Sequence, residues 1–309
     1  MAQNELTFAQ SIRLFIRLSR PLFLLGGILL YALGAGIARY LGASIDWGVY
    51  FIGQVWVTSL QLSAQYLNEF FDSPDDLRNP NRTPFSGGSG TIGPGQLSRS
   101  TALYAAATTL TITASLTVIL FEQADISPVL MMLMGLSFLG AVFYSVPPID
   151  LSTSGYGELV ASILVANFVP FFAFLLQTGE LHRLLVMTTF PLTALPLAMM
   201  LAFEFPDYAS DVKYEKPTLL VRIGWRNGMV LHNLLILSAF FLLGLAMVFE
   251  LPVLIALPAF LPLPLGLLQI WQMRRILAGA RPNWTALTLT ALVLFASTAY
   301  LLAFAFWTR

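Results

Sequence analysis

Long apolar runs broken by short polar segments dominate the chain from residue 21 onward. Nine of them, near 21–42, 47–70, 99–121, 127–146, 156–178, 181–205, 227–249, 251–272 and 284–306, are long enough to cross a bilayer, which takes roughly 17–25 helical residues. Backbone groups in hydrocarbon must be satisfied within their own segment, so these runs predict helices rather than barrel strands. Pro170 in the fifth run and Pro262 and Pro264 in the eighth predict kinks. Ahead of the first run, Arg13, Arg17 and Arg20 recur at helical spacing opposite Leu6, Phe8, Ile12 and Phe15. This predicts an amphipathic helix within residues 1–20, lying on the membrane surface and unlike a cleaved signal.

The second run has a polar face. Gln54, Thr58, Gln61, Gln65, Asn68 and Asp72 recur at steps of four, three, four, three and four. Lipid penalises such a stripe, so it should face the bundle interior. Two such residues would suit interhelical hydrogen bonds; six in line predict the wall of a cavity, with Val57 on the lipid side. The expected fold is all-α and integral to the membrane: one domain over 1–309, with nine transmembrane helices forming a bundle around a cavity.

Composition agrees. The chain is 57% hydrophobic and 10% charged, with mean hydropathy +0.76, against about 25% charged residues in soluble domains. The absence of cysteine excludes thiol chemistry and disulfides, and zero net charge gives no sign of a nucleic-acid partner. With the N-terminus cytoplasmic, the inner segments hold Arg13, Arg17, Arg20, Arg78, Arg82, Arg99, Lys213, Lys216, Arg222, Arg226, Arg274, Arg275 and Arg281, and the outer ones only Arg39, Arg183 and Arg309. Thirteen basic residues against three set the orientation by the positive-inside rule.

Half of the 16 carboxylates fall in two places on that inner side. "NEFFDSPDD" (68–76) ends the second run and carries Glu69, Asp72, Asp75 and Asp76; "EFPDYASDVKYE" (204–215) ends the sixth and carries Glu204, Asp207, Asp211 and Glu215. Asn68, Asp72 and Asp76 are four apart, as are Asp207 and Asp211, which puts them on common helix faces with Cβ atoms roughly 6 Å apart. Two carboxylates at that distance repel by about 3 kcal/mol at an effective dielectric near 20. A bound divalent cation resolves the repulsion, and hard oxygen ligands suit Mg²⁺, which takes one or two carboxylates together with phosphate oxygens. Pro74 lacks a backbone donor and predicts that the helix ends or bends near Asp72, leaving Asp75 and Asp76 on a turn.

With "NEFFDSPDD" read as N-x3-D-x3-D, and "DYASDVKYEKPTLLVRIG" as a D-x3-D motif followed by K-x-T-L-x-x-R-x-G, the chain resembles the UbiA-type intramembrane prenyltransferases. "YSVPPID…GYGEL" is similar to that family's segment after its fourth helix. The resemblance covers nearly the whole chain and is nearest to members that prenylate 1,4-dihydroxy-2-naphthoate in menaquinone biosynthesis. It implies a polyprenyl diphosphate bound through Mg²⁺ by Asn68, Asp72, Asp76, Asp207 and Asp211, with the four aspartates as the catalytic set. Arg20, Arg82, Lys213 and Lys216 would meet the diphosphate, and Gln61 and Gln65 would line the substrate cavity. The acceptor would be a small aromatic molecule. Other acceptors of the family stay open: 4-hydroxybenzoate, homogentisate, a chlorophyllide, haem or a glycerol phosphate. The expected place is a bacterial or archaeal cell membrane, with both Asp motifs at the cytoplasmic rim.

Two departures stand out. Glu204 and Phe205 occupy positions where many relatives have asparagines, and "IDLSTSG" lacks the basic residue often found after the Pro-Pro pair. The glycine-rich stretch "NRTPFSGGSGTIGPG" (81–95) would let backbone amides approach an anion, with a flexible lid as the alternative; no Gly-Lys-Ser/Thr follows, so it is not a Walker loop. His182 and His232 belong to no motif and read as structural. An ion-coupled transporter is the rival reading, but transporters place ionisable residues near mid-membrane, and the interiors of these spans contain none apart from His232, near an end.

Overall fold

The structure, a computed structural model, describes residues 6–76, 79–94 and 96–309. Among these residues it is helical, apart from an isolated bridge between Ile92 and Leu97. In chain order the helices are α1 (Phe8–Leu18), α2 (Pro21–Tyr40), α3 (Trp47–Asp76), α4 (Arg99–Gln123), α5 (Pro128–Phe143), α6 (Gly157–Ile163), α7 (Val169–Thr178), α8 (Arg183–Glu204), α9 (Tyr208–Lys213), α10 (Leu219–Ile223), α11 (Trp225–Val248), α12 (Val253–Ala256), α13 (Leu263–Leu277) and α14 (Trp284–Thr308). Their starts follow local rules. Thr7 and Gln10 form a reciprocal capping box on α1, and Ser127, Thr218 and Asn283 cap α5, α10 and α14.

Seven stretches are long and apolar enough to cross a membrane: 21–40, 99–123, 157–178, 183–204, 225–248, 253–277 and 284–308. The other two expected spans also form helices, of a different character. The polar stripe lowers the hydropathy of α3, and α5 is apolar but only 16 residues long. Two of the seven change helical pitch where prolines were expected to kink them. A π-helical turn over Leu164–Phe168 joins α6 to α7 just before Pro170, and a 3-10 turn over Leu257–Phe260 separates α12 from α13 before Pro262 and Pro264.

The main core gathers side chains of α2, α7, α8, α11 and α14. Helix α2 approaches α7 so closely that a side-chain carbon at Gly34 would run into the backbone carbonyl of Pro170, the small-residue contact typical of helices packed in lipid. Facing outward are many large apolar side chains, among them Phe190, Phe241, Val248 and Leu254, as a lipid-facing surface requires. On α1, Phe8, Ile12, Phe15 and Ile16 are exposed beside Arg13 and Arg17, while Leu18 is buried. Within the stretch 1–20 expected to hold an amphipathic helix, the described residues form one over 8–18.

Pro74 does not end α3, which continues to Asp76. Proline cannot donate to the carbonyl four residues back, here that of Phe70, and the Arg99 guanidinium and Ser73 hydroxyl donate to that oxygen instead. Arg99 also lies over the Phe70 ring, 4.2 Å from its centroid. Arg78 and the Asp75 side chain, both part of the charge pattern, lie outside the described residues.

Candidate active site

Helix α3, the loop 79–94, the segment between α5 and α6, and the stretch from the end of α8 to α10 converge on a polar cavity of about 160 Å³. Asn68, Asp72 and Asp76 reach it from α3, Asp207 and Asp211 from the start of α9, and Lys216 from the turn that follows. Helical spacing explains the first group, because residues four apart share a face. Arg20, held at φ +41° between α1 and α2, lines the same cavity.

Asp72 accepts from Lys216 Nζ at 2.7 Å and from Asn68 Nδ2 at 2.8 Å through one carboxylate oxygen, Oδ2. Asp207 accepts from Asn79 Nδ2 at 2.6 Å. Burial raises the Asp76 carboxyl to about 7, with the Asp72 charge adding to it. Burial likewise raises Asp211 to about 7, against the pull of Lys216, and Asp207 to about 6. Burial alone would depress the Lys216 ammonium, yet Asp72, Asp76 and Asp211 hold it above the ordinary lysine value. The cavity thus concentrates negative charge beyond what Lys216 and Arg20 offset.

Glu69, buried at 2% exposure, turns away from this cavity. It pairs with Arg20 and accepts from the Ser89 amide at 2.6 Å and the Ser89 hydroxyl at 2.8 Å. It thereby fastens α2, α3 and the glycine-rich loop together. Gly88 sits at φ +74°, and a side-chain carbon there would collide with Asp76 Oδ2. Its lack of a Cβ lets the loop pass over the aspartate. On the far wall, Glu158 of α6 and Glu204 of α8 bring their carboxyl groups together and accept the amides of Leu219 at 3.3 Å and Leu220 at 3.0 Å.

Two expected contacts lie elsewhere. Arg82 donates to the Gly88 carbonyl at 3.1 Å and borders a separate surface hollow with Arg281 and Asn283. Lys213 is exposed, its ammonium 5.2 Å from the Tyr214 ring centroid. Neither lines the aspartate cavity. The sequence alone assigns no site role to Glu69, Asn79, Glu158, Tyr144, Phe85 or Phe203. Of these, Glu69, Phe85, Tyr144 and Glu158 stood in quoted segments, but their contacts, like the positions of Asn79 and Phe203, depend on the tertiary fold.

An apolar cavity of about 330 Å³ adjoins the polar one. Gln61 and Gln65 line it, and Trp56 and Phe172 stand on its wall, while Arg20, Asn68 and Tyr144 border both cavities. Gln61 donates to the Phe23 carbonyl at 2.9 Å, and Gln65 Oε1 is buried without a partner. The upper stripe behaves differently: Gln54 and Thr58 bond to each other at 3.2 Å, and neither lines the cavity. Val57, expected on the lipid side, is buried and lines the cavity; three residues from Leu60 and four from Gln61, it shares their face.

Among the described residues, no three His, Cys, Asp or Glu side chains converge closely enough to hold a metal by themselves. The donor set nevertheless fits Mg²⁺ in the mode that uses one or two carboxylates and completes the shell with substrate phosphate. Six carboxylates, of Asp72, Asp76, Glu158, Glu204, Asp207 and Asp211, line one small cavity, and burial weakens the acidities of Asp76, Asp207 and Asp211.

The sequence profile of the UbiA prenyltransferase family matches residues 28–283. No curated protein sequence matches. Among solved structures, a UbiA homolog from Archaeoglobus fulgidus bound to GPP and Mg²⁺ superposes with a TM-score of 0.65 at 15% identity, covering 96% of this chain and 100% of that one. The apo UbiA homolog from Aeropyrum pernix K1 gives 0.59 at 12% identity, covering 92% and 96%. A digeranylgeranylglyceryl phosphate synthase gives 0.59 at 16%, covering 97% and 95%. With the profile spanning most of its length and these folds alongside, the chain belongs to the UbiA prenyltransferase family and is an enzyme that transfers prenyl groups.

Proposed function

We propose that the protein transfers a polyprenyl group from an allylic diphosphate to an aromatic acceptor in a Mg²⁺-dependent reaction, with 1,4-dihydroxy-2-naphthoate as the acceptor. The observation that carries this reading is the continuity of two unlike cavities: an acidic one holding Lys216 and an apolar one beside it, with Arg20, Asn68 and Tyr144 on both walls. A molecule with a charged head and a hydrocarbon tail fits that pair. The A. fulgidus homolog binds GPP and, in another structure, DMAPP, each with Mg²⁺. The choice of naphthoate rests on the sequence motifs alone.

In this reading Asn68, Asp72, Asp76, Asp207 and Asp211 would hold the metal beside the diphosphate. Mg²⁺ bound there would neutralise charge on the diphosphate and stabilise it as a leaving group. Lys216 and Arg20 add charge-assisted hydrogen bonds to the same oxygens. The apolar cavity keeps water from the allylic carbon until the acceptor takes it. The proposal also assigns α3 and α5 to the membrane, as the eighth and ninth crossing segments, with the aspartates at the cytoplasmic rim of a prokaryotic cell membrane. Within a bundle, α3 can bury its polar stripe against its neighbours. The test is purified protein with Mg²⁺, geranyl and longer diphosphates, and a panel of acceptors: the naphthoate, 4-hydroxybenzoate, homogentisate and glycerol phosphate. Fastest turnover with the naphthoate supports the assignment. A faster alternative replaces it, and no turnover on any acceptor contradicts the reaction.

A further inference from the structure

The two cavities meet at a ring of side chains, and two of those bordering both are phenylalanines: Phe85 of the glycine-rich loop and Phe203, one residue before Glu204 at the end of α8. Their rings lie nearly parallel, 15° apart in plane, with centroids 6.1 Å apart. Phe23 of α2 closes the group, edge-on to Phe203 at 5.6 Å and to Phe85 at 6.4 Å. The Arg20 guanidinium already lies 5.8 Å from the Phe23 centroid, so this cluster takes up positive charge against a ring.

The position of the group has a chemical consequence, which rests on the proposed reaction. With the diphosphate in the acidic cavity and the tail in the apolar one, the first prenyl carbon lies at the junction. When its C–O bond breaks, the electron pair leaves with the diphosphate and the allyl group becomes cationic. The acceptor ring then forms the new C–C bond with a π pair and passes its ring proton to the departed diphosphate. Between those events the cation needs negative charge that does not bond to it. Aromatic faces carry a negative quadrupole and attract a desolvated cation. We propose that Phe85 and Phe203 are catalytic residues that stabilise the allylic cation through their ring faces.

The experiment replaces Phe203, and separately Phe85, with mono-, di- and trifluorophenylalanine by site-specific incorporation. Fluorine withdraws ring density while changing size little, so folding and diphosphate binding stay constant. Turnover is measured with geranyl diphosphate, Mg²⁺ and the best acceptor of the panel, alongside KM for the diphosphate. The expected result is a kcat that falls with each added fluorine at constant KM. Phe203→Leu should lower kcat on the order of thirtyfold. A kcat that is flat across the fluorine series while the wild type turns over overturns this assignment alone. A wild type inactive with every acceptor overturns the proposed reaction as well.

Discussion

Replacing Lys216 with methionine removes the one lysine on the wall of the aspartate cavity while keeping a side chain of similar length. Its ammonium stands 2.7 Å from Asp72 Oδ2, a separation at which opposite charges attract by about 6 kcal/mol at an effective dielectric near 20. Desolvation offsets much of that. Loss of one partner from a buried pair costs about 3–5 kcal/mol, and since Lys216 and Asp72 keep 20% and 15% side-chain exposure, the lower end applies. Catalysis should suffer separately. A hydrogen bond to a charged group contributes about 1.5–3 kcal/mol, so a lost contact to the departing diphosphate lowers kcat/KM by about tenfold to a hundredfold. The assay is prenyl transfer by detergent-purified Lys216→Met and Lys216→Arg at saturating Mg²⁺, with thermal unfolding of each. Lys216→Met with a lowered Tm but wild-type kcat/KM would mean that the lysine only props Asp72, and the electrostatic reasoning would fail.

Gly88→Ala should lose stability by about 1–2 kcal/mol, because alanine at positive φ is strained. Its kcat should fall further than that implies, because the new methyl displaces Asp76; unchanged kinetics would place Asp76 outside the reaction. Gln65→Leu removes a buried carbonyl oxygen that has no partner, so thermal unfolding should show equal or greater stability while turnover drops relative to Val55→Leu on the exposed face. The pH dependence has a definite sign. Burial raises Asp76 and Asp211 to about 7 and Asp207 to about 6 in the folded protein, against 3.8 for an ordinary aspartate, so between these values the folded state binds more protons. Without metal, stability from these groups is complete below about pH 4 and is lost as pH rises through about 7. Tm in chelator should therefore fall from pH 5 to pH 8, and Mg²⁺ with diphosphate should abolish the fall.

What the sequence disclosed was what periodicity controls. The i, i+4 spacing of Asn68, Asp72 and Asp76 survives because Arg99 and Ser73 take up the carbonyl that Pro74 leaves free, a compensation invisible from proline alone. Glu69 differs from Asn68 by one position, about 100° of helical rotation, which turns it from the cavity toward Arg20 and Ser89. Sequence adjacency suggested an acidic cluster, and helix geometry divides it. Arg82 and Lys213 looked equivalent to Lys216 as nearby cations. Their directions depend on a loop with several positive-φ glycines and on the turn after α9, and neither obeys a simple period. Phe85 and Phe203 meet across 118 residues, a pairing that no local pattern announces. The lower half of the polar stripe lines the cavity as its spacing suggests. Gln54 instead donates to Thr58 along one helix face, and its Oε1 is buried without a partner.

The central claim is that these carboxylates hold Mg²⁺ against a diphosphate, and a metal titration of two isosteric variants tests it most directly. Asp72→Asn and Asp211→Asn keep shape and each remove one negative charge from the cavity. Prenyl transfer is followed across a Mg²⁺ series, with folding checked by monodisperse elution. The account predicts that each change costs on the order of a hundredfold in rate, about 2.7 kcal/mol, and raises the Mg²⁺ requirement. The double variant should fall little further, because both residues serve one assembly. Near-normal rates in both single variants, or full wild-type activity in excess chelator, would contradict it.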